Sequence, residues 1–310
     1  KMASFILNRL IRMVFTVWFI VTLVFIATRL SGNAVDFIAG EGIGIVERQQ
    51  LIEYFGLNDS LWVQYWRYLA SFFEGNFGIS LIERRPVVTI VAERIIPSLQ
   101  LFFGAVFLTL LLSIPAGIVA AIYRQSWIGS VVMSFAFIGY AVPNFILAIT
   151  CVLVFSFWLG WLPSTGNGSW LHFIMPVCTL SVFYIATLTR FTRNAMLDVL
   201  NQDYLRTARA KGLKEQVVII KHALRNALIP VLSVVGLQMA GLIAAGNVVI
   251  ETVFSWRGMG DLLVTSALKR DYPVLQFGVL SVAIAVVLIN FLVDIAYSKA
   301  DPRIRLGSTA

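Results

Sequence analysis

Charged residues are scarce in this sequence, and their scarcity excludes an ordinary soluble globular protein. They make up only 13% of its 310 residues, whereas hydrophobic residues make up 59%. Soluble domains contain about 25% charged residues, which help to cover the surface that faces water. The composition therefore predicts a membrane protein with several spanning segments.

Cysteine and histidine are also scarce, with two of each. Cys151 and Cys178 both lie inside apolar runs, so neither a disulfide framework nor a cysteine-rich metal site is indicated. His172 and His222 are far apart in the chain and have no acidic or cysteine residues at ligand spacing. We therefore expect no metal ion and no other cofactor in this chain.

Motifs that would indicate an energy source or a catalytic centre of the chain's own are missing. The sequence has no phosphate-binding loop of the form Gly-x-x-x-x-Gly-Lys-Ser/Thr and no His-Glu-x-x-His zinc motif. It also has no pair of carboxylates within its apolar runs, where such groups usually mark proton or ion pathways. These absences predict that any energy comes from another protein or is not needed, and they disfavour a carrier driven by protons or sodium.

What the sequence does contain is a series of long apolar runs. Met13–Thr28 follows two arginines and suits an uncleaved first spanning helix. The run Gln125–Thr189 has no charged residue and is interrupted by a stretch rich in Pro, Ser and Gly, which fits two helices joined by a hairpin. Three further runs are long enough to cross a bilayer, namely Ile95–Tyr123, Asn226–Ile250 and Pro273–Val293. We therefore predict an all-α fold with six transmembrane helices.

Several prolines lie at or within these predicted spans. Pro97 is expected in the first turn of the second span, where its missing N–H costs nothing. Pro115, Pro143 and Pro176 lie deeper in the runs and permit bends, because proline removes a helical hydrogen bond.

Basic residues concentrate on one side of the predicted spans. With both termini inside, the inner side carries most of the 24 lysines and arginines, including Arg124 and the basic segment from Arg190 onward. Positive residues concentrate on the cytoplasmic side of membrane proteins, so we expect both termini in the cytoplasm. This orientation explains the net charge of +8 better than binding to nucleic acid does.

The distribution of polar residues divides the chain into segments. We expect an N-terminal transmembrane helix at residues 1–30 and an insert at residues 31–94, whose aromatic clusters suit short helices on the membrane face. Residues 95–298 hold the remaining spans, with a central cytoplasmic loop at residues 190–229. Residues 299–310 form a polar cytoplasmic tail.

The central loop is polar and basic, yet some of its apolar residues follow helical spacing. The residues that would lie on one helix face are Leu197, Leu200, Tyr204 and Ala208. Gly212 would end this helix in the left-handed conformation. By itself the loop fits a docking surface for a partner and a solvated helix beside anionic lipid about equally well.

The stretch Tyr204-Leu-Arg-Thr-Ala-Arg-Ala-Lys-Gly212, with His222-Ala-Leu-Arg-Asn-Ala-Leu-Ile-Pro230, resembles the "EAA" loop of ABC-importer permeases, in particular their peptide/nickel branch. Arg206 and Thr207 stand where the general consensus has Glu and Ala. In that family this loop forms a coupling helix that sits in a cleft of an ATPase subunit. The resemblance thus implies ATPase-coupling roles for Asp203, Tyr204, Arg206, Thr207, Ala208, Arg209, Ala210 and Gly212.

The stretch Gly139-Tyr-Ala-Val-Pro-Asn-Phe145 resembles part of the third helix of the same family. Polar groups here and in a later span could line a passage, although ordinary contacts between helices explain each of them at least as well. The candidate path residues are Ser134, Tyr140, Pro143, Asn144, Gln238 and Asn247.

The stretch Glu251-Thr-Val-Phe-Ser-Trp-Arg-Gly-Met-Gly-Asp261 also looks like this branch, as does the ending Ala300–Arg305. The resemblance implies that the first stretch caps the outer mouth and meets the binding protein, whereas its glycine-rich pattern alone fits a structural loop. The candidate gate or contact residues are Trp256, Arg257, Asp261, Arg270 and Asp271.

The resemblance covers essentially the whole chain and implies a permease subunit of an ABC importer in the bacterial inner membrane, for di- or oligopeptides or similar small solutes. Such a subunit works with a second homologous permease, two ATPase subunits that bind ATP and Mg²⁺, and a periplasmic solute-binding protein. A secondary carrier or passive channel and a membrane scaffold are the alternatives. The sequence shows no pocket pattern that distinguishes dipeptides, longer peptides, glutathione, nickel complexes, opines and sugars.

Overall fold

The structure is a computed structural model that describes residues 2–31, 44–54, 58–243 and 247–300. Within these ranges the chain is helical apart from its connections and one isolated antiparallel bridge between Ile79 and Pro86. The helices of the described residues are α1 (Met2–Leu30), α2 (Ile45–Tyr54), α3 (Leu61–Phe73), α4 (Val87–Ile122), α5 (Trp127–Ala141), α6 (Asn144–Trp158), α7 (Trp170–Leu200), α8 (Asp203–Ala210), α9 (Glu215–Gly241), α10 (Asn247–Val253), α11 (Met259–Leu268) and α12 (Tyr272–Ala300).

Five of these helices, α1, α4, α7, α9 and α12, are long and apolar enough to cross a membrane. Helices α5 and α6 are long enough only together, and they meet at a bend of 101°. If this pair is one broken span, the described residues contain six spans, which confirms the predicted fold class.

The bend between α5 and α6 lies at Val142 and Pro143. Val142 is extended, with φ −82° and ψ 121°, and Pro143 directly precedes the first residue of α6. Pro115 and Pro176 instead lie within the continuous helices α4 and α7. Of the prolines predicted to permit bends, Pro143 is thus the one at which the chain turns sharply.

The packing of α4 against α7 forms the centre of the molecule. A Cβ atom at Gly117 of α4 would lie 2.5 Å from Cβ of Thr192 and 2.8 Å from the carbonyl oxygen of Thr189, both in α7. Glycine therefore lets the two backbones approach closely, as small residues commonly do between membrane helices. At the periphery, α1 packs along α12 and leaves most of its own surface open.

One expectation about the spans is wrong. Helix α4 begins at Val87, so Pro97 lies well inside it and not in its first turn. The apolar run Asn226–Ile250 holds the second part of α9, to Gly241, and the start of α10 at Asn247, and residues 244–246 between them lie outside the described residues.

Candidate functional site

Helix α8 connects α7 to α9 and packs against both. Its residues Leu205 and Ala208 are buried in one apolar cluster with Met196 of α7 and Val218 and Ala223 of α9. Burial of a leucine side chain contributes about 1.5–3 kcal/mol. A helix of eight residues is not stable alone, so this cluster is what holds α8 in place.

The start of α8 differs from the sequence-based prediction. Gln202 is extended, with φ −78° and ψ 145°, and it separates α7 from α8. The expectation that Leu197, Leu200, Tyr204 and Ala208 share one helix face is therefore wrong. Within α8 the fully buried residue is Leu205, whereas the neighbouring Tyr204 is 42% exposed.

Two side-chain links join α8 to α9. Arg209 donates to both carboxylate oxygens of Glu215, at 2.8 Å from Nη2 to Oε1 and 3.1 Å from Nε to Oε2. The side-chain amide of Asn226 donates to the hydroxyl of Tyr204 at 2.9 Å. Gly212 lies in the connection at φ +75°, which confirms the predicted left-handed residue after α8. Polar and apolar contacts thus hold α8 against the beginning of α9.

The other face of α8 is exposed. The side chains of Asp203 and Arg206 are 94% and 77% exposed, and they form a surface ion pair at 3.4 Å, a kind of contact that contributes little to stability. Thr207 and Ala210 are also exposed. The predicted coupling residues therefore fall into two groups. One group fixes the helix in place, and the other, Asp203, Arg206, Thr207 and Ala210, is accessible to a partner.

A second cluster surrounds Glu251 of α10, which is fully buried. Its Oε2 accepts hydrogen bonds from the backbone amides of Gly260 at 2.6 Å and Asp261 at 3.2 Å. Its Oε1 accepts one from the hydroxyl of Ser98 at 2.5 Å. Ser98 Oγ in turn accepts from the backbone amide of Met259 at 2.7 Å. Glu251 and Ser98 together thus bind the first three backbone amides of α11, which have no partners within their own helix.

Two glycines leave room for this carboxylate. A Cβ atom at Gly258 would collide with both carboxylate oxygens of Glu251, and one at Gly260 would lie 2.6 Å from Cα of Val248. Burial raises the pKa of Glu251, and the hydrogen bonds that it accepts counteract part of that shift. The cluster is therefore closely packed as well as polar.

Trp256 and Asp261, predicted at a gate or a contact surface, face the interior. Trp256 is buried, and its indole N–H donates to the carbonyl oxygen of Pro97 at 3.0 Å. Asp261 lies 3.4 Å from Arg94 of α4, and both side chains are only about one-fifth exposed. Burial raises the pKa of Asp261, and Arg94 counteracts that shift. Both residues therefore join the region around α11 to α4.

The three remaining predicted gate residues lie in different settings. Asp271 is buried and accepts hydrogen bonds from the hydroxyl of Ser80 at 2.5 Å and the amide of Leu81 at 3.1 Å, so it fixes the segment before α4. Arg270 adopts a left-handed conformation at φ 55°. Arg257 is exposed, and a docking protein could reach it.

The candidate path residues whose side chains are described do not line one common passage. Gln238 of α9 borders a small cavity of about 20 Å³ with Thr109 of α4 and Tyr184 of α7. Ser134 of α5 is exposed. The side chain of Asn247 lies outside the described residues.

Tyr140, Pro143 and Asn144 lie together around the bend between α5 and α6. The ring of Tyr140 stacks on Phe183 of α7, with ring centroids 5.4 Å apart. The guanidinium of Arg190 lies 5.1 Å from the centroid of the Tyr140 ring, within range of a cation–π interaction. Tyr140 therefore connects the end of α5 to α7.

The roles of Glu251, Ser98 and Ser80 were not predicted from the sequence. One signal was available for Glu251, because an acidic residue directly after an apolar run and shortly before Gly258-Met-Gly260 combines a carboxylate with residues that leave space for it. No local pattern identifies Ser98, since it is far from Glu251 in the chain.

Among the residues that the structure describes, no group of three or more His, Cys, Asp and Glu side chains is placed to hold a metal ion. Cys151 and Cys178 are free thiols. The chemistry of the described clusters is thus hydrogen bonding, ion pairing and apolar packing.

Residues 113–306 match the family described as "Binding-protein-dependent transport system inner membrane component". The chain is 40% identical to the glutathione transport system permease protein GsiC of Escherichia coli K12 over 309 residues, which cover 98% of this chain and 99% of the relative. It is 41% identical over 310 residues to the protein of the same name from Salmonella paratyphi A, with the same coverage.

Two solved structures share the fold. An inward-facing form of the MetNI methionine ABC transporter matches with a TM-score of 0.59 and 18% identity, over 70% of this chain and 98% of the other. An amino acid ABC transporter matches with a TM-score of 0.52 and 14% identity, over 68% of this chain and 94% of the other. At such low identity, both similarities show the fold alone.

Proposed function

Since the chain belongs to the family of binding-protein-dependent inner-membrane transport components, in the peptide/nickel branch of ABC importers, we propose that it forms half of the path by which glutathione or a similar small peptide enters the cell. The relatives named above are transport permeases. A second, homologous permease completes the path in this proposal. Gln238 is the candidate lining residue that borders a cavity between spans.

The observation that carries this proposal is the two-sided arrangement of α8. Leu205 and Ala208 hold the helix on α7 and α9, while Arg206 and Thr207 remain exposed to a partner. An ATPase subunit that contacts the exposed face can therefore transmit its motion to two spans at once. Two such subunits bind ATP and Mg²⁺, and this chain catalyses no reaction itself.

The orientation of the chain follows from its charges. The short segments that carry Arg124, Arg206 and Arg209 lie on the same side of the spans, and positive residues favour the cytoplasmic side. Both termini and α8 are therefore cytoplasmic, and the cluster around Glu251 faces the periplasm. There the exposed Arg257 is the candidate contact for a periplasmic solute-binding protein.

The test uses the assembled transporter reconstituted with its ATPases and its solute-binding protein. Arg206→Glu should abolish the ATP hydrolysis that glutathione-loaded binding protein stimulates, because it reverses a charge on the exposed face of α8. Arg124→Glu is the matched control, since Arg124 is exposed on the same side but lies outside α8. Normal stimulation in Arg206→Glu, with the complex intact, would overturn the coupling role.

The alternative is a secondary carrier or passive channel, which needs no ATPase. The chain alone in proteoliposomes should show no glutathione uptake, with or without an ion gradient. Uptake without the ATPases would refute the proposal, and a scaffold protein would show no uptake even in the full complex. Binding of glutathione and short peptides to the partner solute-binding protein, measured by calorimetry, would identify the cargo.

A further inference from the structure

A polar cavity of about 430 Å³ lies between α1, α3 and α12, away from the clusters described above. Each helix contributes to its wall, with Arg29 from α1, Tyr68 from α3 and Gln276 from α12. Phe72 and Phe277 complete the wall with apolar surface. The cavity is large enough for the polar part of a lipid or for a similar small group.

Three buried polar groups in this region have no hydrogen-bond partner among the described residues. They are Nε of Arg29 and the hydroxyls of Tyr68 and Tyr272. Arg29 and Tyr68 both line the cavity, and Arg29 interacts electrostatically with both tyrosines. Buried donors are nearly always paired in native proteins, and a donor set built around an arginine fits an oxyanion. The missing partner is therefore an anionic group.

The other charges at the cavity define the ligand further. Arg67 is 2.8 Å from Asp59, so its charge is already compensated. Glu74 borders the cavity and is exposed, which places a carboxylate at the mouth. The cavity thus offers a cation at Arg29, which has no ion-pair partner among the described residues, and a carboxylate nearer to solvent. This pattern complements a group that carries a phosphate and an ammonium.

The surroundings of the cavity are suited to the membrane interface. Leu23, Ile26 and Leu30 of α1 are 52%, 50% and 83% exposed, and they form an apolar surface beside it. Trp62 and Trp66 of α3 are 67% and 55% exposed. Exposed tryptophans are typical of the level at which lipid headgroups lie. A ligand of this cavity can therefore come from the bilayer itself.

We propose that this cavity binds the headgroup of an aminophospholipid. The phosphate accepts hydrogen bonds from Arg29 and Tyr68, which both line the cavity, since the arginine guanidinium matches phosphate geometry. The ammonium lies towards Glu74, and the acyl chains extend along the exposed apolar surface of α1. The bound lipid thereby joins α1 to α3 and α12, and this role is independent of the cargo that the protein carries.

The experiment uses the full chain purified in a maltoside detergent, which contains no phosphate. Short-chain phosphatidylethanolamine is added, and binding is followed by native mass spectrometry and by the thermal unfolding temperature. We expect one tightly retained lipid and a higher unfolding temperature. Arg29→Gln and Tyr68→Phe should each weaken binding about tenfold or more, because each removes a hydrogen bond to a charged group.

Controls separate the headgroup from other ligands. Diacylglycerol of the same chain length tests the acyl chains alone, inorganic phosphate tests a free anion, and phosphatidylglycerol tests the ammonium. Arg84→Gln, at an exposed arginine outside the cavity, should leave binding unchanged. Glu74→Gln should reduce the preference for phosphatidylethanolamine over phosphatidylglycerol.

Three results would overturn the proposal. They are equal stabilisation by diacylglycerol, equal stabilisation by inorganic phosphate, and unchanged lipid binding in both Arg29→Gln and Tyr68→Phe. A folding defect does not obscure the test, because the hydroxyl of Tyr68 has no partner in the described structure. Tyr68→Phe should therefore match the parent protein when no lipid is added.

Discussion

Helices α8 and α11 are both short and both adjoin longer spans, but they differ in the contacts made by their buried side. Helix α8 buries the apolar side chains of Leu205 and Ala208 and has its polar links at the exposed surface. Helix α11 is held through its backbone amides by Glu251 and Ser98. Apolar contacts are non-directional, whereas hydrogen bonds weaken steeply when their angle changes. The comparison indicates that the position of α11 is fixed more strictly than that of α8.

The largest effect is expected from Glu251→Leu, which removes the acceptor for α11. The amides of Gly260 and Asp261 and the hydroxyl of Ser98 would then be buried without their partner. We expect a loss of roughly 3–5 kcal/mol, measured as a lower thermal unfolding temperature in detergent. Glu251→Gln keeps one oxygen acceptor and should lose less. Equal stability of Glu251→Leu and the parent would contradict a strictly fixed α11.

A smaller effect is expected from Leu205→Ala in the apolar cluster below α8. Removal of a buried leucine side chain costs about 2–5 kcal/mol when the site cannot collapse, and the lower part of that range suits a short surface helix. Protease accessibility of residues 201–214 should rise together with the loss of stability. Ala210→Ser, on the exposed face, is the control and should change neither quantity.

Gly258→Ala tests the close packing around Glu251. The added methyl group collides with the buried carboxylate, and such overpacking typically costs about 1–3 kcal/mol. Gly241→Ala is the matched control, because a Cβ atom there has no neighbour within 4 Å. It should be neutral or stabilising by up to about 1 kcal/mol, since alanine favours a helix more than glycine does. Comparison of the thermal unfolding temperatures of the two variants with that of the parent protein tests this prediction.

The smallest effect is expected from Arg209→Gln, which breaks the ion pair with Glu215. Both side chains are more than one-third exposed, so the pair contributes only about 0–1 kcal/mol. The unfolding temperature should therefore hardly change, while added salt should reduce even that difference. A loss as large as that of Leu205→Ala would show that polar contacts, not apolar ones, hold α8.

The sequence predicted those features that depend on neighbouring residues. Gly212 has the left-handed conformation expected after α8, because only glycine adopts it without strain. The long apolar runs correspond to helices since a membrane span must satisfy its own backbone hydrogen bonds. Pro143 lies at a sharp bend, as a proline within a span permits.

Features that depend on distant residues escaped prediction. Pro97 lies inside α4, and the indole of Trp256 donates to its carbonyl oxygen from the other half of the chain. The break at Gln202 has neither glycine nor proline to mark it. The hydrogen bond between Ser98 and Glu251 forms only when α4 and α10 pack together in the folded protein. Spacing along the sequence contains none of this information.

The close contact of α4 and α7 has a mechanical consequence. A residue-by-residue slide of one helix along the other would drive Thr192 into the backbone of α4 where Gly117 now gives it room. We therefore expect the two helices to move as a unit. One end of the pair adjoins α8 through the end of α7, and the other carries Ser98, which touches Glu251. A tilt imposed at one end should therefore displace the other.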